Sequence, residues 1–179
     1  MVPSLDLILG TIERALTVAI LPAAANAAAK EEAGLGILFT RWLRDVVDHA
    51  ADAERASYRD CREALVDVVG MLSPKSGGTA AGVLEEARTF LGRPIAETAA
   101  AVRAESKVAK TLLARALRAA RADGSDATAT IRRRLADLAG RELEREIAFG
   151  RATGIDPDGA KGPPLAEVLK AQNERRSAR

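Results

Sequence analysis

The chain has 179 residues, one cysteine, a formal net charge of +2, and a composition that is 47% hydrophobic but only 3% aromatic. That length can bury one core without metal or disulfide staples; the lone Cys61 excludes an intrachain disulfide framework and suits a reducing compartment, so a cytoplasmic address is expected. The charge is too mild to demand nucleic acid, and no run reaches the roughly 20 apolar residues of a bilayer-crossing helix, so no membrane span is expected.

Alanine is over-used, and the β-branched and aromatic residues that fill strands are sparse, which points to helices. Charge is uneven along the chain: residues 1–92 hold nine Lys/Arg against thirteen Asp/Glu, and residues 93–179 hold eighteen against twelve.

Ser4 can cap a helix whose Leu5, Ile8, Leu9, Ile12, Leu16, Ala19 and Ile20 recur at the three-and-four spacing of one buried stripe. Pro22 lacks a backbone donor, so it is expected to kink that helix or to open a second segment through the alanine-rich stretch to Glu32. Gly34 and Gly36 then supply a stop.

The pattern resumes from Leu35 to Leu72 through Phe39, Trp42, Leu43, Val46, Ala50, Ala53, Ser57, Cys61, Leu65 and Val68, the longest element expected. Ser73 to Thr79 is the clearest break, and a short helix from Ala80 to Phe90 follows. Pro94 stands where a first helical residue belongs, opening a helix to about Ala122 with Val102, Ala109, Leu112, Leu113, Ala116, Leu117 and Ala120 inward.

Asp123, Gly124, Ser125 and Asp126 form a tight connection. The next helix, from about Ala127 to Gly150–Gly154, buries Ile131, Leu135, Leu138, Leu143 and Ile147. Residues 155–164 read as loop, and a short helix from Leu165 to Gln172 leads into a polar, disordered tail at 173–179. The expected fold is all-α: one domain over residues 1–172, an up-and-down four-helix bundle with additional short helices in the central connection and at the C-terminus.

Asp45, Asp48, His49 and Asp52 are the nearest approach to a metal-ligand cluster, since residues three and four apart share a helix face. A ferritin-type di-iron centre is excluded in one subunit because it needs two imidazoles and the chain has one histidine. The plainer reading packs His49 beside Trp42 and pairs it with Asp45 or Asp52. Cys61 lies between Arg59 and Arg62, which favours a thiolate, yet it continues the buried stripe, so a core thiol is expected.

Arg103, Lys107, Lys110, Arg118 and Arg121, with Arg132, Arg133 and Arg134 after the turn, form a basic ridge suited to phosphates. Acidic neighbours and a lack of stacking aromatics argue instead for a solvated face. The Ser73–Thr79 loop lacks the spacing of a P-loop, and the C-terminal Arg175, Arg176 and Arg179 need no ligand to explain them.

No Ser-His-Asp, Cys-His, Cys-x-x-Cys or dinucleotide-glycine pattern occurs, so no catalytic residue and no cofactor are expected. A non-enzymatic helical interaction or accessory protein is the leading expectation, and an exposed apolar patch is its discriminating sign. Its rival is a small-ligand- or metal-binding bundle, including an enzyme, with a pocket near Asp45 and His49; nucleic-acid binding through Arg118, Arg121 and Arg132–Arg134 ranks third. Alanine-rich stripes bury little area, so a homodimer sharing a helix face is also expected, beside a protein partner.

Overall fold

The computed structural model describes residues 4–72, 79–151 and 161–178, and these form an all-α chain of six helices with no strand. The first helix, α1 (Leu5–Ala15), begins where the Ser4 side chain accepts a hydrogen bond from the Leu7 amide at 3.2 Å. It continues through a π-helical stretch, Leu16–Ile20, into one last turn, Leu21–Ala23. Pro22 has no amide hydrogen and its ring crowds the carbonyl four residues back; the wider π turn immediately before it relieves both problems.

The chain reverses at Ala24–Asn26, where the Asn26 side chain accepts from the Ala29 amide at 2.9 Å and so caps α2 (Ala27–Met71). This corrects the expectation of a segment from Pro22 to Glu32 ended by Gly34 and Gly36. Both glycines lie inside α2. An interior glycine costs about 1 kcal/mol against alanine, too little to end a helix held by alanines and by tertiary packing.

Four helices follow: α3 (Thr79–Leu91), α4 (Ala99–Ala122), α5 (Thr128–Gly150) and α6 (Leu165–Ser177). Pro94 lies outside α4, which starts instead behind Thr98, whose hydroxyl accepts from the Ala101 amide at 3.3 Å. The tight α4–α5 turn forms as expected. Gly124 adopts φ +60°, Ser125 donates to the Ala120 carbonyl at 2.8 Å, and Gly124 donates to Arg121 at 3.2 Å, which closes the exposed helix end.

The helix expected to stop at Gln172 runs five residues further, so the polar tail is helical through Ser177. Glu and Arg are good helix formers, and Arg175 is anchored on Glu144 at 2.7 Å. The loop readings at 73–78 and 155–160 lie outside the described residues.

The chain divides into two units, one of residues 1–50 and 144–179, the other of residues 51–143. The second holds the hydrophobic core: Tyr58, Leu65, Leu84, Phe90, Val102 and Ile131 are all buried, and Cys61 is fully enclosed there as a core thiol. Only eight of the 29 buried hydrophobic residues among the described ones belong to the first unit, among them Leu9, Ile37, Val46 and Leu169.

In the second unit α2 and α5 run antiparallel along a polar seam. Ser57 donates to Glu142 at 2.7 Å, Asp60 lies 3.5 Å from Arg141, and Asp67 lies 2.5 Å from Arg134. Tyr58 donates to Glu105, and the Arg62 guanidinium, 5.7 Å from the Tyr58 ring and 5.5 Å from the Phe90 ring, donates to the Leu91 carbonyl. These polar contacts border a core rich in small alanines, among them Ala64, Ala87, Ala109, Ala116 and Ala120.

Candidate functional site

The Asp45–Asp52 stretch does not assemble a ligand set. Asp45 faces Arg151 at 3.9 Å, Asp52 pairs with Arg55 at 3.1 Å, Asp48 is exposed and His49 is half-buried. Among the described residues no group of three or more His, Cys, Asp and Glu side chains is placed to hold a metal. Trp42 serves packing: its indole nitrogen donates to the Phe149 carbonyl at 2.6 Å, and its ring meets Phe149 and Phe39 edge to face at 5.3 and 6.4 Å.

The basic ridge is thinned by internal pairing. Arg134 is drawn onto Asp67, Lys110 onto Glu142 and Arg103 onto Glu54. Arg118, Arg121, Arg132 and Arg133 remain exposed.

What the fold does assemble is an apolar edge in the first unit. Leu9 is buried, and the half-buried Leu16 packs on α2 at Gly36, where an added Cβ would stand 3.3 Å from its Cδ1. Successive residues turn by about 100°, so Asp6 and Glu13 flank this contact on one side of α1 while Ile8 and Ile12 flank it on the other.

The first side is ionic. Arg41 reaches Glu13 at 2.6 Å, and Arg44 reaches both Glu13 and Asp6 at 2.9 Å. Hydrogen bonds from Arg41, then Arg44, hold the Glu13 carboxyl below its ordinary pKa.

The other side is bare hydrocarbon. Leu5, Ile8 and Ile12 on α1, with Phe39 and Leu43 on α2, are 39–51% exposed. Leu7, Val18 and Ile20 are exposed as well, so six of the nine Leu, Ile and Val side chains between Leu5 and Leu21 face outward. The sequence reading assigned α1 one buried stripe because the three-and-four spacing of Leu5, Ile8 and Ile12 matches it. The missed signal was the width of the apolar arc, which runs from Leu9 and Leu16 well past the line of contact with α2 and calls for cover beyond it.

Of the sixteen large hydrophobic residues exposed among the described ones, eleven belong to the first unit. Comparison with protein-family models, with curated proteins and with solved structures finds no match.

Proposed function

We propose that this chain is a non-enzymatic interaction protein that docks a protein partner on the apolar edge formed by α1 and the start of α2. The exposure of Leu5, Ile8, Ile12, Phe39 and Leu43 side by side carries the reading. These five present on the order of 400 Å² of apolar surface, within the range of the largest patch that a monomer exposes.

The ligand- or metal-binding alternative has less support, because the carboxylates of Asp45 and Asp52 are each answered by an arginine. The nucleic-acid alternative rests on four exposed arginines with no stacking side chain among the residues that carry them. No helix among the described residues is long and apolar enough to cross a membrane.

The test compares tagged wild-type protein with Ile12→Glu as baits in native purification, scoring every retained chain, including untagged copies of the protein itself. A chain held by the wild type and lost by the variant, with helicity unchanged, supports docking at this edge. Identical sets on both baits overturn it.

A further inference from the structure

The edge that this reading assigns to a partner has features that select among occupants. The first is dependence. The first unit buries few apolar side chains and exposes many, so its helices gain from a cover that is present whenever the chain is folded. A second copy meets that condition without a separate supply.

The second is charge. The stripe Leu5, Ile8, Ile12 and Ala15 on α1, continued by Ala19 in the π-helical stretch, carries no charge, and the neighbouring stripe Gly36, Phe39 and Leu43 on α2 has only Glu32 at its start. Asp6, Glu13, Arg41 and Arg44 neutralise one another on the opposite edge. Over residues 1–50 and 144–179 there are eleven Lys/Arg and twelve Asp/Glu, net −1 by subtraction, so two identical faces meet without net repulsion. A membrane-surface helix instead lines its polar face with Lys and Arg. Here α1 offers Arg14 against Asp6 and Glu13.

The third is shape and size. The α1 and α2 helices run antiparallel, and the small exposed residues Ala15 and Ala19 let a second pair approach closely. On the order of 400 Å² of apolar surface, with the polar rim that makes up a little under half of an interface, comes to about 700 Å², close to the roughly 800 Å² per partner of a stable interface.

We propose that the occupant is a second copy of this chain: the α1–α2 edges of two copies pack about a twofold axis, with Ile8, Ile12, Phe39 and Leu43 at the centre. The proposal rests on the docking reading above and names its partner.

Sedimentation equilibrium of the purified full chain across the micromolar range tests it, beside Ile8→Glu/Phe39→Glu and the milder Ile8→Gln/Leu43→Gln, with circular dichroism to confirm that helicity is kept. Because the substituted side chains are exposed, the variants should fold as the wild type does. A wild-type dimer whose dissociation constant rises at least roughly 100-fold in either folded variant supports the proposal.

A wild type that stays monomeric across the range overturns it, as does a dimer unaffected by both variants. A monomer that binds neutral phosphatidylcholine vesicles through Ile8 and Phe39 also overturns it and assigns the edge to a lipid surface. If the purified chain is monomeric but the bait comparison shows a foreign protein lost with Ile12→Glu, self-pairing fails while docking stands; identical bait sets remove both.

Discussion

The indole nitrogen of Trp42 donates to the carbonyl oxygen of Phe149 at 2.6 Å, one residue before the end of α5. The last carbonyls of a helix have no partner in their own ladder, so this side chain supplies one of them from another helix. Trp42→Phe keeps much of the ring contact and leaves that carbonyl to find water; the expected loss is about 1 kcal/mol. Trp42→Ala also removes the edge-to-face contacts and is expected to cost about 2–3 kcal/mol, below the usual range for a fully buried Trp because this one is half-buried. Urea unfolding followed by circular dichroism measures both; equal losses for the two variants would assign the whole effect to the hydrogen bond.

Asp60 is 2% exposed and lies 3.5 Å from the Arg141 guanidinium within the α2–α5 seam. Removing one member strands the other in a low-dielectric interior, so Asp60→Ala is expected to cost about 3–5 kcal/mol. The double variant Asp60→Leu/Arg141→Met removes both charges and is expected to recover most of that loss. A double variant as unstable as Asp60→Ala in denaturant titration would show that Asp60 acts through other partners in the seam.

Helix content, the Asp123–Asp126 turn and the buried role of Cys61 were legible because local chemistry decides them: alanine propensity, a Gly that takes φ +60°, and a thiol in register with Leu65 and Val68. The helix starts at Asn26 and Thr98 were not read, since Pro22 and Pro94 gave louder signals than the short polar side chains that make the caps. Nothing in the sequence pattern singled out Asp60, which is buried where α5 brings Arg141 to 3.5 Å from it. The apolar edge was hidden for the converse reason. Ile8 and Ile12 have the spacing of core residues, and spacing says which side of a helix is apolar without saying what, if anything, lies against it.

Gly34 and Gly36 stand two residues apart in α2 and face different surroundings. A Cβ at Gly34 meets nothing within 4 Å, so Gly34→Ala is expected to stabilise by about 0.5–1 kcal/mol through helix propensity and the narrower unfolded ensemble. At Gly36 the new methyl stands 3.3 Å from Leu16 Cδ1, and Leu16 must shift by a few tenths of an ångström, so Gly36→Ala gains less than Gly34→Ala. Gly36→Leu cannot be absorbed that way and is expected to lift the Leu16 turn from α2. Thermal melts of the three variants rank them; a Gly36→Leu protein as stable as Gly36→Ala would mean that Leu16 does not bear on α2 in solution.

Acid should loosen α1 from α2 through Glu13. Hydrogen bonds from Arg41, and next from Arg44, lower the folded-state pKa of this carboxyl below its ordinary value. A depressed carboxylate pKa means that the unfolded state takes up the proton first as pH falls. The stabilisation is therefore complete above the ordinary glutamate range and disappears as pH drops through the lowered value. Glu144, lowered by Arg175 and then by Gln172, loses its contribution to the α5–α6 contact with the same sign. Amide exchange of Leu5–Ala15, corrected for the intrinsic effect of pH, should accelerate across that window in the wild type and in Glu144→Gln. In Glu13→Gln it should already be fast at neutral pH and change little with acid. An acid-induced acceleration of the same size in Glu13→Gln would place the titrating group elsewhere, and high salt at neutral pH should mimic part of the effect because these exposed pairs are screened.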